Sequence, residues 1–222
     1  MKRIKSIAKR IRVLVFTFLG LTRAPFLKSK FEIKRGYFHR KKYTHFSDTN
    51  NSEEWQKEVY EEAEHIARIN NYKKIIDVGC GSGYKLIKYF GKNYDTVGIE
   101  VEDTYSYLVK KYPNYKWLNV KSIDYSTLKA DMVITSDVIE HVIDPTKFLD
   151  NVKKIRDVKF IVISTPDRSL LKNSFGPPFN KTHMREWTGE EFQRYLISQN
   201  LKIISHQISN YSQATQLTIC KK

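Results

Sequence analysis

The chain has 222 residues, with 39 Lys+Arg against 24 Asp+Glu and a net charge of +15. That length accommodates one α/β domain with a full core plus an appendage, and two cysteines in so long a chain argue against a disulfide framework or a cysteine zinc site, which points to a reducing, cytoplasmic setting. The charge is concentrated at one end: residues 1–50 hold 14 Lys+Arg against only Glu32 and Asp48, and the remainder is nearly balanced.

In chain order, residues 1–36 read as a basic arm and residues 37–222 as the domain. Ile4, Ile7, Ala8, Ile11, Leu14, Val15, Phe18 and Leu19 recur at the spacing of one helical face, with Lys2, Arg3, Lys5, Lys9, Arg10 and Arg12 on the other side. The uncharged stretch Val13 to Leu21 is nine residues long, whereas a bilayer span needs about 20. No small-x-small cleavage site follows Gly20, which disfavours a secretory signal. Two readings of residues 1–22 stay open: an amphipathic helix lying on the anionic inner face of the membrane, or a helix packed on the domain or on a partner. Lys34 to Lys42 interleaves five Lys/Arg with Tyr37 and Phe38, as single-stranded nucleic-acid contacts do. No recognised nucleic-acid module accompanies it, so that partner is disfavoured.

The next expected element is a helix with a capping-box-like start at Asn51 and Glu54, running through Trp55, Val59, Tyr60, Ala63 and Ile66 toward Asn70. The apolar run Lys74 to Val78 then breaks into Gly79-Cys80-Gly81-Ser82-Gly83, and the amphipathic pattern Tyr84 to Phe90 follows. This spacing predicts strand, tight loop and helix. Further on come a strand ending at Glu100, a helix near 103–111 stopped before Pro113, and strands at 116–120 and 131–136. A helix at 145–155, a strand at 159–164, a helix at 188–199 and strands near 201–208 and 215–220 complete the chain. Alternating strands and helices call for a mostly parallel sheet with helices on both faces.

Gly79, Gly81 and Gly83 let a ligand lie against bare backbone. A dinucleotide fingerprint would require its third glycine one position later, and no Walker lysine follows. Glu100, at the end of the next strand, places a carboxylate where it can accept both hydroxyls of a ribose. Ile75 to Gly83 fits the form hhDhGCGsG without a gap, and in this the chain resembles the class I S-adenosylmethionine-dependent methyltransferases. The resemblance implies a Rossmann-like, mostly parallel seven-stranded sheet closed by a C-terminal antiparallel hairpin. It also implies S-adenosylmethionine as cofactor, with Asp77 and the glycines beside its methionine part and Glu100 on its ribose. By the same resemblance Ser122 or Asp124 reaches the adenine, and the backbone from Ser136 passes the transferable methyl.

Two later segments carry the resemblance further. Ser136-Asp137-Val138-Ile139-Glu140-His141-Val142-Ile143-Asp144-Pro145 matches a post-strand-four motif of small-molecule methyltransferases. His141 there is either a general base, its intrinsic pKa suiting proton removal near neutrality, or a structural histidine in a helix start. Gly176 to Thr188 resembles the G-P-P-x-N-x-x-H-x-R-E-W segment of bacterial methyltransferases that modify surface sugars or glycolipids, and His45 to Thr49 with Glu54 to Tyr60 resembles the same group. That implies methyl transfer, most simply to an oxygen, on a small-molecule or glycan acceptor. Asn180, Arg185 and Glu186 are its candidate contacts and His183 a second candidate base. Arg185 and Glu186 have the alternative of pairing with each other, and Trp187 reads as core. No metal-ligand cluster is evident, so metal-independent catalysis is expected. The competing functions are an RNA or protein methyltransferase using the basic arm and an inactive cofactor-binding scaffold.

Overall fold

A strand with large apolar side chains on both faces must be covered on both, and Lys74–Val78, with Ile75 and Ile76 on opposite faces, meets that demand as the strand β1, inside the sheet. The computed structural model describes residues 30–44, 48–49 and 55–222. The other strands are β2 (Asp95–Glu100), β3 (Lys116–Asn119), β4 (Met132–Ser136), β5 (Phe160–Pro166), β6 (Lys202–Asn210) and β7 (Thr215–Lys221). They form a seven-stranded sheet in the order β3-β2-β1-β4-β5-β7-β6. The first five are parallel, and β7 runs antiparallel between β5 and β6. The expected fold, hairpin included, is thus the one observed. The helices are α1 (Lys57–Ile69), α2 (Tyr84–Phe90), α3 (Glu102–Lys111), α4 (Pro145–Lys154) and α5 (Gly189–Ser198).

Side chains of a strand alternate between faces, and the two core clusters divide accordingly. Ile75, Met132, Ile134 and Val162 point to one layer with α1, α2 and α3 residues such as Ala63, Leu86 and Leu108. Ile76, Val133, Ile161 and Ile163 point to the other, with Leu149 and Val152 of α4 and Phe192 and Leu196 of α5. Several helix starts are locally encoded. Asp144 accepts from the Thr146 and Lys147 amides ahead of Pro145, and Thr188 and Glu191 form a reciprocal capping box on α5.

The first helix differs from expectation. It starts at Lys57 with Gln56 in a left-handed conformation, and Trp55 lies before it, exposed; Asn51 to Glu54 fall outside the described residues. The packed domain also extends upstream of residue 37. Ile33 is buried in the same cluster as Trp187 and Tyr195, the Lys34 amide donates to Glu191, and the Trp187 indole donates to the Phe31 carbonyl. The basic-aromatic stretch is partly internal: Tyr37 is buried and Arg40 donates to the carbonyls of Pro178 and His183, while Lys34, Arg35, Lys41 and Lys42 are exposed. Most of the arm, including the amphipathic pattern of residues 1–22, lies outside the described residues. Among those described, no helix is long and apolar enough to cross a membrane.

Candidate active site

The chain leaves β1, builds outward through β2 to β3, and returns to place β4 on the other side of β1. In an open α/β sheet this reversal leaves a crevice beyond the carboxyl ends of the strands. Two loops meet there, Gly79–Gly83 after β1 and the segment 137–144 after β4.

Gly79 has φ +83°, and a Cβ on it would stand 2.3 Å from Cγ2 of Val138 in the facing loop. Gly81 has φ +54°, and a Cβ there would approach Asp48 Oδ2 to 3.0 Å. Bare backbone at Gly79 is what allows the two loops to come this close, and at Gly81 it admits Asp48 from upstream in the chain. The cradle they form is lined by Gly79, Gly81, Ser82, Lys85, Glu100 and Ser136, all but Ser82 and Lys85 expected from the sequence. The Glu100 carboxylate accepts from the Gly81 amide at 3.4 Å and from the Val101 amide, which fixes it at the wall. Asp77 is fully buried beneath the loop. Its Oδ2 accepts from the Tyr60 hydroxyl at 2.7 Å, while Oδ1 has no hydrogen-bond partner. Ser136 bonds Ser164 side chain to side chain at 2.9 Å. Positive-φ glycines, a wall carboxylate and an unsatisfied buried carboxylate oxygen suit a polar ligand with hydroxyl and ammonium groups.

Ser122 and Asp124 do not join this group. Both are exposed; the Ser122 hydroxyl donates to the Asn119 carbonyl, and Asp124 accepts from the Ser126 amide as the cap of a short turn.

Burial shifts the buried acids. It pushes Asp77 up to about 7 against the lowering effect of the Tyr60 hydrogen bond, and it pushes Glu100 up to about 7 against the two amides it accepts from. Asp137 is raised as well, by burial, despite its bond from the Ser164 hydroxyl at 2.7 Å. An acid raised in the folded state stabilises in its protonated form, so that contribution is lost as pH rises through the folded value. His39 and His141 are both lowered by burial to about 4 and act in the opposite sense. At pH 6.5 their unfolded forms are still half protonated, so above that pH they offset part of the change from the carboxyls, about 0.4 kcal/mol each. The ligand-free protein should therefore lose about 1 kcal/mol of stability between pH 6.5 and pH 8. Denaturant titrations at the two values check this, with Asp77→Asn flattening the slope; a stability that rises over the interval would refute the shifts.

A second cavity of about 470 Å³ adjoins the first and shares Gln56, Lys85, Asp137 and His141 with it. Glu140, Asn180, His183 and Glu186 line its floor and Trp55 and Phe179 its rim. The Asn180 amide nitrogen bonds His183 Nε2 at 2.9 Å, and His183 Nδ1 bonds Glu186 at 2.7 Å. His141 sits in a turn ahead of α4 rather than in a helix start, its Nδ1 3.3 Å from the Thr182 carbonyl.

Arg185 is not available to a substrate. It is 3% exposed, donates to the Val142 and Ile143 carbonyls at 2.6 and 2.8 Å, and stacks over Phe31. Nor does it pair with Glu186, whose partner is His183. Trp187 is fully buried, as expected of a core residue. Sequence reading passed over Tyr60, Lys85 and Glu140, because their roles depend on contacts across the sheet that no local pattern records.

A switch-point crevice roofed by a glycine loop with an acidic next strand defines a Rossmann-like enzyme that binds a nucleoside cofactor. The chain belongs to the methyltransferase-domain family, whose profile matches residues 40–206, and its cofactor is S-adenosylmethionine. It is 23% identical over 129 residues to a probable S-adenosylmethionine-dependent methyltransferase of Mycobacterium tuberculosis, covering 56% of this chain and 47% of that protein. The chain thus spans about half the length of the curated relative it matches. Among solved structures it resembles an S-adenosylmethionine-dependent methyltransferase from Clostridium acetobutylicum, with 14% identity, TM-score 0.59, and coverage of 74% of this chain and 91% of that one. A small RNA methyltransferase shares the fold with 19% identity and TM-score 0.59 over 82% of this chain and 27% of that one.

Proposed function

We propose that the protein transfers the methyl group of S-adenosylmethionine to an oxygen of a hydroxyl-rich small molecule or glycan, in surface polysaccharide or glycolipid biosynthesis. The observation that carries this reading is the second cavity. It is large enough for one or two sugar rings, opens beside the cradle, and combines convergent polar groups with an aromatic rim. Trp55 and Phe179 are 58% and 73% exposed, and exposed flat rings at a cavity mouth suit the apolar face of a sugar. In this reading Glu100 accepts from the ribose hydroxyls and Asp77 lies under the methionine part.

Displacement at a methyl carbon needs the acceptor oxygen held in line with the carbon–sulfur bond, and positioning alone supplies much of the rate. His141 is held down to about 4 by burial, and Nε2 of His183 is committed to Asn180. Both serve as polar contacts on the acceptor side, together with Asn180 and Glu186.

Incubating the full chain with methyl-labelled cofactor and fractionated cell extract tests the acceptor class. Label should enter the glycan or lipid-linked fraction. Label confined to RNA or protein would establish the rival reading, and none at all would indicate an inactive scaffold. A chain starting at residue 30, compared in the presence of membranes, tests whether the basic face of residues 1–22 seats the enzyme on anionic lipid; equal labelling and equal membrane recovery would remove that role.

A further inference from the structure

Glu140, His141 and His183 bring three metal-ligating side chains together at the floor of the second cavity, one ligand atom of each lying within 4.8 Å of the others. The carboxylate of Glu140 is fully buried. Its Oε2 accepts from the Thr165 hydroxyl at 2.9 Å, and its Oε1 has no hydrogen-bond partner. That oxygen faces Nε2 of His141 at 3.8 Å.

The hydrogen bonds fix which nitrogen of each ring is a donor. A carbonyl only accepts, so the contact with Thr182 puts the proton of His141 on Nδ1 and leaves Nε2 as an acceptor turned toward a carboxylate oxygen. Asn180 Oδ1 accepts from the Thr182 amide and hydroxyl, so its nitrogen is what faces His183 and donates to Nε2. His183 therefore carries its own proton on Nδ1, where it donates to Glu186. Each imidazole is thus held at Nδ1, one by a carbonyl and one by a carboxylate, with Nε2 of His141 toward Glu140 and Nε2 of His183 accepting from Asn180. Metal-binding histidines are oriented by this kind of outer partner. The buried Glu140 Oε1, which lacks a hydrogen-bond partner, lies with the two imidazoles within reach of a single cation at the cavity floor.

We propose that Glu140, His141 and His183 bind a divalent transition-metal cation beside the cofactor cradle. Two imidazoles and one carboxylate suit manganese, iron, cobalt or zinc better than magnesium or calcium. Three protein ligands at the floor of an open cavity leave coordination positions toward it, the arrangement of catalytic rather than structural sites. Ligand atoms at about 2.0–2.2 Å from a metal must close up slightly from their present spacing, and the Asn180 amide must turn off His183. The cation's role toward an acceptor oxygen rests on the function proposed above; its binding does not.

The test is a titration of the tag-free full chain with cobalt(II), read by its visible ligand-field absorption. Saturation at one cobalt per chain is expected, weakened more than about 100-fold by Glu140→Gln or His183→Ala, and about 10–100-fold by Glu186→Gln, which loosens His183 from behind. His65→Ala, which removes an exposed imidazole on α1, should leave the titration unchanged. S-adenosylhomocysteine binding, measured alongside by calorimetry, shows that each variant is folded. It also separates the two readings, since failure to bind the nucleoside would strike the cradle and not the metal site. Absence of saturable cobalt binding by the native chain, or equal binding by the Glu140 and His183 variants, overturns the proposal; if Glu140→Gln does not fold, His183→Ala decides alone.

Discussion

Replacing Arg168 with methionine should cost the fold about 3–5 kcal/mol, the usual consequence of removing one partner of a buried ion pair. Arg168 is 1% and Glu191 3% exposed. The guanidinium donates from Nε to Glu191 Oε2 at 3.1 Å and from a terminal nitrogen to Oε1, and its other terminal nitrogen reaches the Ser174 carbonyl at 2.8 Å. It also lies over the Tyr37 ring at 4.8 Å. Burial alone would raise the Glu191 carboxyl; the Arg168 hydrogen bond and the Lys34 and Thr188 amides outweigh it and hold the group below its ordinary value. One ion pair thus joins the upstream strap, the loop after β5 and the start of α5. Methionine keeps most of the volume but leaves Glu191 charged and short of donors. Chemical denaturation measures the loss. Adding Glu191→Gln to the variant should restore part of it by removing the orphaned charge, and a double variant no better than the single would assign the loss to packing instead. By contrast, Lys57 and Glu61 are each half-exposed and 3.7 Å apart on α1, a pair worth about 0.3–0.5 kcal/mol.

What the sequence made legible follows the range of the interactions involved. The strands around β1 and the glycine loop depend on neighbours within a few residues, and Ile75 to Gly83 carries period, turn and carboxylate in one stretch. Arg185 shows the limit. A guanidinium in a polar segment looks the same whether it meets an anion or two backbone carbonyls, and those carbonyls, at Val142 and Ile143, lie more than forty residues upstream. The strap was hidden for a related reason. Phe31, Ile33 and Tyr37 sit among Lys30, Lys34 and Arg35, so composition marks the stretch as surface, while the packing of Ile33 and Tyr37 with Trp187 places it in the core. Glu140 and His141 were visible as neighbours in the sequence, but the third member of their cluster comes from the loop after β5, which only the sheet brings beside them.

Replacing Gly79 with alanine should abolish cofactor binding while leaving the sheet standing. Two independent costs fall on that one methyl group. At φ +83° an L-residue carries about 1–2 kcal/mol of backbone strain, and the new Cβ would meet Val138 Cγ2 at 2.3 Å and Cγ1 at 3.0 Å. Real contacts are never that short, so one loop has to move away from the other. Val138 follows Asp137, itself held at φ 52° and tied through its carboxylate to Ser164, so the loop after β4 yields poorly. The glycine loop is anchored too, with the Gly79 amide donating to the Ile99 carbonyl at 2.8 Å and the Gly81 amide to Glu100. Whichever loop shifts, the cradle wall formed by Gly79, Gly81 and Glu100 loses its register against Ser136 and Val138. Combined costs of about 3 kcal/mol or more correspond to a loss in affinity of over a hundredfold. Calorimetry with S-adenosylhomocysteine on the native chain and the variant measures this directly, with far-ultraviolet circular dichroism confirming the fold. Trimming the facing residue in Gly79→Ala/Val138→Ala should recover the steric part and leave the backbone strain. Wild-type affinity in the single variant would mean that the ligand does not lie against this loop at all.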